Sequence, residues 1–171
     1  MRRQLPGGFE LDDDRNRIDL GVVHGFLSQE ADWALGWSYE EVQRLVAEAT
    51  LVVGVYGESG MVGFSRTVSD GHWLTYLADV FILPEYRGRG LGEELVRETV
   101  ERSDFRDLGW LLHTADAHGL YEKFGFERRS PYLMERLPQT KTVVVVVVVV
   151  SSAVGWAKPE AKNWLTVDRL P

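Results

Sequence analysis

Apolar positions along the chain fall into short runs, separated by glycine, proline and acidic clusters, and their period switches between two and three-to-four. Phe9 to Asp14 predicts a first strand running into a polar turn. Asp19 is placed to cap a helix over Leu20 to Gln29, where Leu20, Val23 and Leu27 share one face. Ser38 and Glu41 have the spacing of a capping box ahead of the apolar positions Val42, Leu45, Val46 and Ala49. Leu51 to Tyr56 and Met61 to Val68, joined by Gly57-Glu58-Ser59-Gly60, predict a β-hairpin. Trp73 to Leu83 is a long apolar strand broken by one acid, Asp79, and ended by Pro84. A helix over Gly90 to Arg102 turns Leu91, Leu95 and Val96 inward. A strand over Leu108 to Thr114 follows, then a short helix over His118 to Phe124 closed by Gly125. Two last strands are expected at Phe126 to Arg129 and Tyr132 to Leu137. Strands interleaved with crossover helices make an α/β or α+β layered domain.

Composition narrows the class without naming a chemistry. The 171 residues suit one domain with or without an appendage, and 44% hydrophobic and 26% charged residues are ordinary for a globular protein. Acidic residues outnumber basic ones 26 to 19, a formal charge of −7, which argues against a nucleic-acid binder or a protein held to anionic lipid by charge. The absence of cysteine excludes disulfides, thiolate catalysis and cysteine metal sites. No H-E-x-x-H or paired-histidine pattern occurs, and Asp12-Asp13-Asp14 lacks the glycine and terminal glutamate of a calcium loop, so no metal is expected. Met1-Arg2-Arg3 begins like a secretory leader, but Pro6 to Glu10 follows with no apolar stretch, and the cytoplasm is the expected compartment.

The composition changes near residue 138. Residues 1–138 hold one lysine, Lys123, and fourteen arginines; residues 139–171 hold Lys141, Lys158 and Lys162 and one arginine, Arg169. The body carries 15 basic and 24 acidic residues, a net of −9. The tail contains eight consecutive valines, Val143 to Val150, which cannot fix a strand register because both faces are alike. Its uncharged stretch, Thr142 to Ala157, has sixteen residues, short of the roughly 20 of a membrane-crossing helix. The expected division is a functional domain over 1–138 and an atypical tail over 139–171 outside it, with an added edge strand as the alternative.

The most informative residues run from Val80 to Gly92. An apolar strand feeds a tight turn with glycines at alternate positions, Gly88, Gly90 and Gly92, and a helix begins inside it. Glycine allows positive φ and close approach of backbone to a ligand. The first N–H groups of a helix are unpaired and lie at its positive end, a setting for a pyrophosphate to which Arg87 and Arg89 can add charge. Walker A would need Gly-Lys-Ser/Thr and the dinucleotide fingerprint G-x-G-x-x-G; neither is present.

Arg87-Gly88-Arg89-Gly90-Leu91-Gly92, between strand and amphipathic helix, resembles the acyl-CoA-binding motif of the GCN5-related N-acetyltransferase (GNAT) family. Gly119-Leu120-Tyr121-Glu122-Lys123-Phe124-Gly125-Phe126 is similar to that family's second motif, and the resemblance covers about residues 9–137. It implies a mixed, mostly antiparallel sheet of about seven strands flanked by about four helices, with the fourth and fifth strands splayed. It further implies acetyl transfer from acetyl-CoA to a primary amine by direct attack, the amine belonging to a small molecule in preference to a protein. Val80, Phe81 and Ile82 match the bulged strand whose backbone pairs with the pantetheine arm, and Arg87 to Gly92 match the pyrophosphate loop. Thr114 stands where many members hold the cofactor with asparagine, and Asp116 nearby is placed to cap the short helix. Tyr121 matches the tyrosine that serves the departing thiolate. Asp79 is a candidate general base or a structural hydrogen-bonding residue, with His113 as the second candidate base. Trp33, Trp37 and Tyr39, between the first two helices, border the acceptor side and suit a cationic amine; they serve equally as core or homodimer contacts. A non-catalytic CoA-binding module with the same fold is the rival reading.

Overall fold

The sheet is built outward from hairpins. The computed structural model describes residues 1–31 and 36–128, so Trp33, most of the two last expected strands and the 139–171 tail lie outside the described residues. The strands are β1 (Arg2–Leu5), β2 (Phe9–Asp12), β3 (Leu51–Gly57), β4 (Gly60–Ser69), β5 (Leu74–Ile82) and β6 (Gly109–Leu111), laid down in sequence order across one sheet. All neighbours pair antiparallel except β5 and β6, which are parallel. The described residues thus hold six strands of the expected mixed, mostly antiparallel sheet. β1 was not expected from its polar sequence, and it shifts the numbering so that the splayed pair is β5 and β6.

The helices are α1 (Leu20–Gln29), α2 (Tyr39–Glu48), α3 (Leu91–Val100) and the single turn α4 (His118–Tyr121), which runs into a 3-10 turn over Glu122–Phe124. Asp19 accepts from the N–H groups of Gly21 and Val22 to start α1, and Ser38 and Glu41 form a full capping box on α2. Gly125, at φ 78, ends the turn after α4. Two layers cover the sheet. Val23, Phe26 and Leu27 of α1 and Val42 and Val46 of α2 pack on Val52, Phe64 and Phe81. On the opposite face Leu91 and Leu95 of α3 meet Val53, Val55 and Ile82, while Val96, Val100 and Tyr121 gather around Leu77.

β1 is tied to α3 by charge. Arg3 bonds both Glu94 and Glu98, and the Glu98 side chain is fully buried. The helix that begins at the glycine turn is therefore anchored near its far end by a strand from the other side of the sheet.

Candidate active site

β5 is paired along its whole length with β4 but only over its first three residues with β6. The register on that side runs Leu74–Gly109, Thr75–Trp110, Tyr76–Leu111 and stops. From Leu77 to Ile82 the β6 side of β5 has no strand partner among the described residues, leaving a gap lined by backbone. Within that stretch the ladder to β4 slips. Phe64 faces Phe81 and Arg66 faces Ala78, so Asp79 and Val80 together stand opposite Ser65 alone. This is a β-bulge, and Asp79 at its centre has φ 53, the one non-glycine residue at positive φ among those described. Its carboxylate receives the Arg66 Nε–H at 2.6 Å, both side chains being mostly buried.

After Ile82 the chain makes a 3-10 turn over Pro84–Tyr86 and reaches the glycine loop. Gly88 and Gly90 sit at φ 74 and 77, and a Cβ built at either would meet nothing within 4 Å. Backbone conformation, not crowding, demands glycine there, and the surface above the amides stays open. No side chain caps α3, and the N–H groups of Gly88 to Gly92 have no protein acceptor among the described residues. The arrangement fits a diphosphate in shape and polarity. Arg87 donates through Nε to the Ile82 carbonyl at 2.9 Å, and Arg89 lies against the Tyr86 ring and reaches the Glu85 carbonyl. Both arginines thus brace the loop. Leu91 is buried in the core beneath it.

Tyr121 stands on the α3/α4 face, buried beside Leu77 and edge-on to Phe126 at 5.8 Å. Burial, with added repulsion from Asp116 and Tyr76, pushes its hydroxyl up to about 12. Lys123, two residues on, bonds Glu93 in the first turn of α3 at 2.6 Å, which fastens Tyr121's turn to the helix of the glycine loop. The Thr114 hydroxyl accepts from the Ala117 N–H, so Thr114 shapes the entry to α4, a role the sequence had suggested for Asp116. On the α1/α2 face His24 bonds the Trp37 carbonyl and packs edge-on to Tyr39.

Two side chains at the gap escaped notice in the sequence. Arg66 is the single charge in an apolar strand whose neighbour also carries a single, opposite charge, a pattern that does announce a cross-strand pair. Tyr76, whose hydroxyl lies 2.8 Å from His113 Nδ1, gives no such signal. A cavity of about 1020 Å³ runs along β6 and includes His113, Thr114, His118 and Tyr121, but no described residue of Val80 to Gly92 lines it. No three potential metal ligands cluster, and no helix is long and apolar enough to cross a membrane, among the described residues.

The acetyltransferase (GNAT) domain model matches residues 43–128. The Arabidopsis thaliana protein named GCN5-related N-acetyltransferase 2, chloroplastic, is 36% identical over 72 residues, covering 41% of this chain and 28% of its own length. Across three curated relatives the match spans 28 to 37% of their length. A crystal structure of a GNAT-family protein from Xanthomonas campestris pv. campestris superposes with a TM-score of 0.71 and 36% identity, over 79% of this chain and 96% of its own. A structure from Deinococcus radiodurans R1 shares the fold at a TM-score of 0.62 and 21% identity, over 80% and 94%.

Proposed function

Since the chain belongs to the GNAT family of acetyltransferases, we propose that it moves the acetyl group of acetyl-CoA to a primary amine by direct attack, with both reactants held in the β5–β6 gap. The observation that carries this is the continuity of one surface. The edge of β5 that has no partner among the described residues, bulged at Asp79, leads directly into the open amides at the start of α3. A thioester arm laid along Val80, Phe81 and Ile82 would complete the ladder that β6 abandons, while the N–H groups of Gly88 to Gly92 receive the diphosphate.

Each residue then has a defined task. Backbone N–H groups at the bulge polarise the thioester carbonyl. Tyr121 keeps its proton at neutral pH and delivers it to the leaving sulfur. Asp79 takes the structural of its two candidate roles, because its carboxylate is held by Arg66; it fixes the bulge. Thr114 and Lys123 set the position of the Tyr121 turn. Most of the acceleration comes from holding amine and thioester together. No step needs a metal.

An acidic body of −9 and the aromatic Trp37 and Tyr39 favour a cationic small-molecule amine. The test is an acceptor screen with free-thiol detection over polyamines, amino acids, aminoglycosides and peptides. Amine-dependent thiol release supports the reading. Tight acetyl-CoA binding with no turnover on any amine replaces it with a non-catalytic CoA-binding module.

A further inference from the structure

α3 opens on an anion site yet carries acids in its own first turn. Gly90 is its N-cap, and Glu93 and Glu94 follow at the third and fourth helical positions. At a rise of 1.5 Å per residue they lie about 4.5 and 6 Å along the axis from Gly90. In the free helix such acids favour its positive end. With a diphosphate on the same N–H groups they become like charges beside an anion, within a body that already carries −9. Both carboxylates are bonded to cations brought from elsewhere in the chain. Lys123, in the turn after α4, donates to Glu93 at 2.6 Å. Arg3, on β1, donates to Glu94 at 2.8 Å. Arg97, one turn further along α3, reaches Glu93 at 3.0 Å and Glu94 at 3.4 Å, and is itself held over the Phe124 ring. Farther from the loop, Glu98 meets Arg3 and Arg102, and Glu101 meets Arg97. The four acids of 91–101 are thus matched by four cations.

An ion pair between side chains 56% and 35% exposed, as Lys123 and Glu93 are, adds little to stability. Its charge matters more to a neighbour. The Lys123 ammonium holds the Glu93 carboxyl below its ordinary value, so both groups are charged at neutral pH. Resting on the acyl-transfer reading, we propose that Lys123 is a counter-charge residue for the cofactor's diphosphate. By cancelling Glu93 in the first turn of α3, it lets the diphosphate meet the amides of Gly88 to Gly92 without a like charge behind them. Arg3 does the same for Glu94, but it also holds the buried Glu98, so Lys123 is the residue to test. The effect falls on the charged end of the cofactor and spares its acyl arm.

The experiment measures Kd by calorimetric titration for CoA and for acetyl-pantetheine, which lacks the diphosphate, at about 0.05 and about 1 M salt. It compares wild type with Lys123→Gln, Glu93→Gln and the double variant. Arg44→Gln, on the exposed side of α2, is the control for losing one positive charge. At low salt Lys123→Gln should weaken CoA about 3- to 10-fold, and Glu93→Gln should tighten it by a similar factor. The double variant should lie within about twofold of wild type, because removing both charges restores the balance. Acetyl-pantetheine should change by less than about twofold throughout, Arg44→Gln should match wild type, and high salt should erase the differences. A merely structural effect, through the turn that carries Tyr121, would weaken both ligands alike and would not be repaired by Glu93→Gln. Equal weakening of the two ligands, no recovery in the double variant, or an effect that survives high salt overturns the proposal. Should Lys123→Gln not fold, an unchanged CoA Kd in Glu93→Gln overturns it. If wild type binds CoA and no variant moves the Kd, this proposal alone falls. If wild type binds no CoA, the acyl-transfer reading falls and takes this one with it.

Discussion

Replacing Asp79 by asparagine separates the two roles open to that residue. Asparagine tolerates φ 53 nearly as well as aspartate, so backbone strain barely changes. What disappears is the charge of a bond made at 2.6 Å to Arg66, between side chains only 12% and 13% exposed. A hydrogen bond to a charged group contributes about 1.5–3 kcal/mol. Unfolding entropy near 2.1 cal/mol/K per residue gives about 0.27 kcal/mol/K for a domain of roughly 130 residues, so a loss of 2 kcal/mol lowers Tm by about 7 °C. Arg66→Met should cost a similar amount, and the double variant little more than either single one, because both delete the same bond. A slackened bulge also misaims the backbone toward the acyl arm. Losing one N–H bond there raises the acetyl-CoA Kd about 2- to 13-fold. Thermal melts followed by circular dichroism and calorimetric titration with acetyl-CoA read the two effects. The reasoning fails if Asp79→Asn leaves Tm and Kd untouched while turnover falls by two or more orders of magnitude, the signature of a catalytic base.

Four further outcomes are expected. Gly90→Ala forces a Cβ into the left-handed region, costing about 1–2 kcal/mol of stability, and should weaken CoA far more than acetyl-pantetheine, which lacks the diphosphate; equal weakening of both by calorimetry contradicts the loop assignment. Burial holds the Tyr56 and Tyr121 hydroxyls at about 12, so each contributes stability that is full below pH 10 and lost as pH climbs through 12. Tm should drop steeply over that range, and ultraviolet titration should show late phenols, one removed by Tyr56→Phe and one by Tyr121→Phe; titration of both near 10 refutes it. Tyr121→Phe should also lower kcat by about 10²-fold or more with little change in the acetyl-CoA KM. Deleting residues 139–171 should leave Tm and acetyl-CoA binding unchanged, and an unfolded product would place the tail in the core.

Local signals were legible in the sequence, and long-range ones were not. Asp19, the Ser38–Glu41 box and Gly125 act within a few residues of themselves, so their caps could be read directly. The glycine loop was legible for the same reason: φ and helix polarity are local. β1 was missed because Arg2-Arg3-Gln4-Leu5 has no apolar alternation to betray it, and because what holds Arg3 lies more than ninety residues away. Glu98 looks in sequence like one more acid on a solvated helix face and is fully buried because Arg3 meets it. The bulge was expected from the family resemblance, but the ion pair beside it, Arg66 facing Ala78 and bonded to Asp79 within the bulge, required the register.

Under the proposed function, the parting of β5 and β6 would serve binding and chemistry together. A fully paired sheet would bury the β5 edge and place a wall of backbone between its faces. Because pairing stops at Tyr76 and Leu111 among the described residues, the same edge would offer hydrogen bonds to an extended acyl arm. Beyond that stop, the bulge at Asp79 sets how Val80 to Ile82 are aimed. Under the proposed acyl transfer, the Arg66–Asp79 pair would act by holding the bulged backbone, without touching a reacting atom. Its loss should be felt in acetyl-CoA affinity and in stability, with turnover at saturating acetyl-CoA kept.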